Sequence, residues 1–259
     1  MFRRACLSVV VAAIVVASMG TSLVAQRGQS APPAGGRAQA PYDITGYWVA
    51  LVTDDWRYRM LTPPKGNADY LPVTPEARKA IDAWDPAKDE AAGEACRGYG
   101  AAGVMRLPGR MHITWAHDSA LQVEMSAGTQ TRTFTFGPPP APGTTVPAAG
   151  TPSWQGTSLA RWTFPPGGRG RAAAPTTGQL TVVTTGLRPG YVRKNGVPYS
   201  ANAVITENFV RLVDEGDEFL VVTTSVDDPR YFAQPYVKTY QFKKQADAAG
   251  WNPTPCSAR

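Results

Sequence analysis

Gly109–Gly137 reads GRMHITWAHDSALQVEMSAGTQTRTFTFG. It consists of three short runs of alternating apolar and polar residues, broken at His117-Asp118-Ser119 and at Ala127-Gly128. Alternation with period two gives each run one face for a core and one for solvent. Tight breaks let neighbouring runs pair antiparallel. The stretch therefore predicts a three-strand meander.

The chain on either side repeats this style. Downstream lie SLARWTF (158–164), QLTVVTT (179–185), ANAVITENFVRL (201–212), EFLVVTTSV (218–226) and YVKTYQFKK (236–244). Asn195-Gly196 and Glu215-Gly216-Asp217 are turn signals between them. Upstream, ITGYWVALVT (44–53) is apolar on both parities. WRYRML (56–61) alternates, with Trp56, Tyr58 and Met60 on one face and Arg57 and Arg59 on the other. Asp54-Asp55 would turn that hairpin. The total is about nine or ten strands, a number that closes or splits into two layers to hide its edges. The fold class expected is all-β, an antiparallel meander closing into a calycin/lipocalin-like barrel, with a β-sandwich as the alternative.

Helical signals are confined to one region. Thr74 followed by Pro75 is a cap and a first-turn proline, predicting a helix over 75–84. Asp85-Pro86 repeats the signal for a shorter helix, 86–95. Residues 97–108 read as irregular chain. Two Pro/Gly-rich stretches, 137–152 and 165–178, read as loops inserted at strand ends. One domain, 42–259, is expected.

The amino-terminal region reads differently. Arg3 and Arg4 precede an apolar run from Leu7 to Met19, and Leu23-Val24-Ala25 ends in a small residue. This pattern predicts a signal peptide over 1–25 and export to a periplasmic or extracellular location. The Arg3-Arg4 pair faintly resembles a twin-arginine signal, the alternative to ordinary secretion. Cys6 lies before the apolar run, away from the cut, which argues against a lipid anchor. Residues 26–41 (QRGQSAPPAGGRAQAP) are too small and polar to bury apolar surface, and read as a disordered tether. No integral membrane segment is expected after processing.

Export bears on charge and cysteine. The chain carries 26 basic and 20 acidic residues, a formal charge of +6. Losing Arg3 and Arg4 leaves 24 against 20, or +4; setting aside Arg27 and Arg37 leaves +2 on the domain. That is too little to argue for nucleic acid as a partner. Cleavage removes Cys6 and leaves Cys96 and Cys256, an even pair in an oxidising compartment. A disulfide between them is expected.

No catalytic or metal motif survives inspection. Gly156-Thr157-Ser158-Leu159-Ala160 resembles a nucleophile elbow. That elbow needs a strand before it, a helix after it, and a later histidine. Here a proline-rich loop precedes, a strand follows, and both histidines lie upstream. His112 and His117 are five apart on a strand and face opposite sides, so they cannot chelate together. No metal and no cofactor is expected. The glycines at 167–170 lack the Lys-Ser/Thr and the strand–helix frame of a phosphate loop.

Parity supplies the sharper hint. Arg132 shares a face with Phe134 and Phe136; Glu207 with Ile205 and Phe209; Lys238 with Tyr236, Tyr240 and Phe242. Charges on a face that turns inward must be paired or hydrogen-bonded. Two accounts are open: a structural Arg132–Glu207 pair, or a polar centre that orients a ligand in an apolar pocket. The candidate ligand-contacting set is Arg132, Phe134, Glu207, Phe209, Lys238, Tyr240, Trp162 and Tyr191. LRPGYVRKNGVPYS (187–200) is rich in donors and reads as a loop that could gate a ligand.

Several motifs carry a family resemblance. They are Ala127-Gly128-Thr129-Gln130-Thr131-Arg132, Trp154-Gln155-Gly156-x-Ser158-x-x-x-Trp162, Leu180-x-Val182-x-Thr184, Asn195-Gly196-x-Pro198-x-Ser200 leading to Glu207, Asp228-Pro229-x-Tyr231, and WNPTPC ending at Cys256. In these the chain, from about Tyr42 onward, resembles a family of exported bacterial β-rich proteins of unknown function. The resemblance implies a barrel-like exported domain and no reaction. Members similar to this one often carry an acidic residue where Ser126 stands, so a site needing a carboxylate there is not expected. Three functions remain open: a barrel binding a small, partly apolar ligand or a partner; an enzyme using Glu207 and Asp228 with Arg132 as an electrostatic aid; and a structural envelope protein.

Overall fold

The computed structural model describes residues 35–53, 55–138, 150–165 and 177–259. The expected signal peptide and most of the expected tether lie outside these residues, as do the centres of the two Pro/Gly-rich loops.

The strands are β1 (Gly46–Leu51), β2 (Arg110–His117), β3 (Ala120–Met125), β4 (Gln130–Phe136), β5 (Thr157–Thr163), β6 (Gln179–Thr185), β7 (Gly190–Arg193), β8 (Val197–Tyr199), β9 (Val204–Asp214), β10 (Asp217–Asp227) and β11 (Tyr236–Gln245). Nine of them form a closed barrel in the order β1-β11-β10-β9-β6-β5-β4-β3-β2. The barrel expectation holds, and β2–β3–β4 is the meander read from 109–137.

The meander does not run all the way round. Around a ring, strand direction must reverse an even number of times, so nine strands cannot close with every pair antiparallel. The one parallel seam is β4–β5, where Phe134 pairs with Ser158 and Phe136 with Ala160. β6 pairs directly with β9 (Leu180 with Phe209). The β7–β8 hairpin between them forms its own two-stranded sheet.

Trp56–Leu61 corrects the sequence reading most sharply. It is not a strand; Trp56–Arg59 is a short helix, α2. Both edges of β1 are already taken, by β2 and β11, so a third strand has no ladder to join. The expected faces do not hold either. Arg59 is buried, its Nε donating to Arg106 O at 3.1 Å and its Nη1 to Leu51 O. Trp56 and Met60 are exposed.

The expected helices form as α3 (Pro75–Ala83) and α4 (Pro86–Ala91). Thr74 Oγ1 accepts from Ala77 N at 3.2 Å, and Asp85 Oδ1 from Ala87 N at 3.0 Å. Such caps satisfy first-turn amides that have no helical partner. The stretch read as irregular, 97–108, holds much of two 3₁₀ turns, Ala95–Tyr99 and Val104–Arg106. Part of the segment read as tether is also folded: Gly36–Gln39 makes one helical turn, and Gly36 O accepts from Trp162 Nε1 at 2.8 Å.

Two apolar clusters fill the domain. One, with Trp48, Met111, Phe134, Leu180, Phe209 and Phe242, occupies most of the barrel. The other joins Ile205 and Val226 at a barrel end to Ile81 of α3 and to Val192, Val197 and Tyr199 of the hairpin. The segment 187–200 is therefore not a solvated gate. It is a plug, because its apolar side lies on that second cluster.

The hairpin turn tests this packing. Gly196 has φ +86°, and a Cβ there would lie 2.3 Å from the Trp84 Cβ. Gly196→Ala combines left-handed strain with overpacking and should cost about 2–4 kcal/mol. Urea denaturation reads it; a loss below about 1 kcal/mol would mean that the hairpin does not press on Trp84.

Cys96 and Cys256 are disulfide-bonded, with Cα atoms 5.1 Å apart. The bond ties the carboxyl-terminal segment to the first 3₁₀ turn.

Candidate functional site

Arg132 on β4 and Glu207 on β9 meet inside the barrel. Arg132 Nη1 donates to Glu207 Oε1 at 3.0 Å and Nη2 to Oε2 at 2.5 Å. Both side chains are 0% exposed. Nη2 also reaches Thr184 Oγ1 at 3.3 Å, and Thr184 shares a 2.8 Å hydrogen bond with Ser158. Glu207 lies between Ile205, in one apolar cluster, and Phe209, in the other. The Arg132 guanidinium stands 4.9 Å from the Phe134 ring centre, and Phe134 meets Phe209 edge-on at 5.6 Å. The pair is thus a polar layer sandwiched between two dry ones. Each carboxylate oxygen has its own donor, the condition under which a charge tolerates burial.

The remaining candidates scatter. Trp162 sits near the α1 turn (Gly36–Gln39), edge-on to Tyr42 at 5.7 Å. Tyr191 lies on the hairpin, where its hydroxyl donates to Asp89 Oδ2 at 2.8 Å and Arg97 stacks 4.6 Å from its ring. Burial and the Asp89 contact push the Tyr191 phenol well above its usual range. Tyr240 is buried with the Arg59 guanidinium 5.4 Å from its ring centre. Lys238 is only partly buried and pairs with Asp55 at 2.9 Å.

Each acid of the enzyme reading is engaged in structural bonds. Glu207 is taken by Arg132. Asp228 accepts from Ser200 N at 2.6 Å, Ser200 Oγ at 3.0 Å and Arg230 N at 3.3 Å, which locks a loop. His112 stacks on Tyr47 at 4.0 Å and contacts Glu124 at 2.8 Å; His117 is exposed near Ser119. Among the described residues, no group of three His, Cys, Asp or Glu could hold a metal ion.

The motif residues are fastenings of the same kind. Gln155 Nε2 donates to Tyr99 O and to Gln130 Oε1, both at 2.8 Å. Asn195 Nδ2 donates to Pro64 O at 3.1 Å and Asn67 O at 2.7 Å. Ser126 Oγ accepts from Arg110 N at 2.8 Å, while Ser126 O accepts from Thr254 N at 2.9 Å.

The most distinctive open feature is a cleft of about 530 Å³ beside the second apolar cluster, lined by Asp55, Tyr58, Tyr70, Arg193, Tyr236 and Lys238 among others. Arg193 is 6% exposed. Its guanidinium lies 4.8 Å from the Tyr58 ring centre, and Nη1 makes a 3.5 Å contact to Asp69 O. Nε is buried without an acceptor. Among the described residues no carboxylate comes within ion-pair distance of Arg193 or Arg106. Burial lowers the Arg106 pKa; nearby Tyr240 and Tyr236 oppose that, and Arg193 and Arg59 lower it further. Arg106 thus has Arg193 and Arg59 as neighbouring cations.

Tyr70 stands at the lip, 91% exposed, with φ +62°. A tyrosine rarely holds that backbone conformation. Of the cleft residues, only Lys238 belongs to the candidate set, and Arg193 falls within the donor-rich loop 187–200. Tyr58 was hidden by reading 56–61 as a strand. Reading Asp54-Asp55 as a helix start instead of a hairpin turn would have exposed it.

Among the described residues, no helix is long and apolar enough to cross a membrane. No family model, curated protein or solved structure matches the chain.

Proposed function

We propose that this is an exported binding protein that holds a small, partly apolar ligand in the Tyr58–Arg193–Lys238 cleft, outside the barrel interior. The observation that carries this reading is Arg193: a buried guanidinium, without a carboxylate partner among the described residues, lining an open cleft with three tyrosines. The cleft is of the size that small-molecule sites occupy. Two packed clusters and a doubly hydrogen-bonded ion pair favour a structural task for the interior. The Cys96–Cys256 bond suits an oxidising compartment, and the signal-like residues 1–25 and the resemblance to an exported family point the same way. A structural envelope role is the second reading, favoured by the filled interior alone.

The test is native mass spectrometry of protein purified from its own host. A bound small molecule is expected. Val237→Trp should expel it, because Val237 lines the cleft with its side chain exposed. Val213→Trp, at an exposed position outside the cleft lining, should retain it. No bound molecule, or one indifferent to Val237→Trp, would favour the envelope role.

A further inference from the structure

Away from the Tyr58–Arg193–Lys238 cleft, we infer a second ligand site that takes a phosphate group, built around Arg106 and Lys194. It is a cleft of about 290 Å³. Its walls come from residues 59–62, both 3₁₀ turns, the tip of the β7–β8 hairpin and the carboxyl-terminal segment, and it shares no described lining residue with the first cleft. The Cys96–Cys256 bond joins two of these walls: the first 3₁₀ turn, which carries Tyr99, and the carboxyl-terminal segment, which carries Arg259.

Charge selects the ligand. Arg59, Arg106, Lys194 and Arg259 line this cleft, and no described Asp or Glu does. Arg106 is 3% exposed, and its Nη1 donates to a neutral acceptor, Tyr58 O. Among the described residues no carboxylate side chain pairs with it. Arg59 and Arg193 add like charge nearby. A guanidinium buried this deeply is costly without a counter-charge. Lys194 Nζ donates to the Tyr99 hydroxyl at 2.9 Å and to Arg259 O, so its charge is only partly met within the chain. A monoanion would balance Arg106 and leave the surrounding excess; a dianion takes up more of it. A phosphate group also brings three acceptor oxygens for donors that enter from several walls. Met60 and Leu61 line the same cleft and are 53% and 62% exposed. They give a phosphomonoester a surface on which to lay a short alkyl group, whereas inorganic phosphate would leave them bare.

The experiment is calorimetry on the disulfide-bonded protein at constant ionic strength and about pH 8, where a phosphate group is a dianion. The probes are inorganic phosphate, hexyl phosphate and acetate. Phosphate should bind about 10- to 100-fold more tightly than acetate, the range that one charged hydrogen bond commands. Lys194→Met should weaken phosphate by about tenfold or more. Lys65→Met, at an exposed lysine outside the lining, should change nothing. Arg106→Met should abolish binding; should it fail to fold, the two lysine variants still decide. Equal affinity for phosphate and acetate, or equal losses in Lys194→Met and Lys65→Met, would overturn the inference. So would phosphate expelled by Val237→Trp, which would put the anion in the first cleft, and so would no binding by either phosphate probe. Hexyl phosphate bound about tenfold more tightly than inorganic phosphate would identify an ester that covers Met60 and Leu61, and equal affinity a free anion; the site stands in both cases.

Discussion

Glu207→Gln is expected to destabilise the protein by about 3–5 kcal/mol, because it strands a buried guanidinium. The side chains of Arg132 and Glu207 are both fully buried, and their two contacts are 3.0 and 2.5 Å. A pair in solvent would cost about 0–1 kcal/mol when broken. Arg132→Met should cost a similar amount, since it leaves a carboxylate between Ile205 and Phe209. The two losses should not add. In the double variant neither charge is left alone, so the cycle should return a large coupling term. Chemical denaturation measures it, and two small, additive effects would mean that the charges do not share a site. If the pair serves only the fold, the double variant should keep whatever molecule the native protein carries.

The second large effect is that of the disulfide. Cys96 and Cys256 enclose 160 positions of sequence. On the chain-entropy model a loop of that size restricts the unfolded state by about 5 kcal/mol. Cys96→Ala with Cys256→Ala should lower the denaturation midpoint accordingly. Free-thiol titration of the unfolded, unreduced protein without residues 1–25 should find none. Two thiols per chain, or a loss under about 1 kcal/mol in the double variant, would remove the bond from the account of stability.

Alternation carried most of the fold. Gln179–Thr185 is a strand at the bounds its pattern implied, and β9, β10 and β11 differ from their readings by a few residues. Parity also placed Arg132 and Glu207 on inward faces, and burial rules then required them to meet. Two things were not legible. Whether 56–61 is a strand depends on whether β1 has a free edge, and that is a property of the closed ring. The parallel seam likewise follows from the number of strands in the ring. The cleft failed for a related reason. It gathers Asp55 and Tyr58, Tyr70, Arg193, and Tyr236 to Lys238 from four separated segments. No local pattern records such a meeting.

Closure through β1 and β11 constrains how the molecule is made. Lys244 Nζ donates to Thr45 O across 199 positions of sequence, and Tyr47 pairs with Gln245. The first barrel strand therefore waits for the last one. As synthesis proceeds from β1 to β10, every partial sheet has two bare edges, and bare edges recruit other chains. Contacts this distant also fold slowly, in milliseconds to seconds for all-β domains. The nascent protein thus spends its most adhesive interval before it can seal itself, and a chain cut short before Tyr236 would never leave that interval.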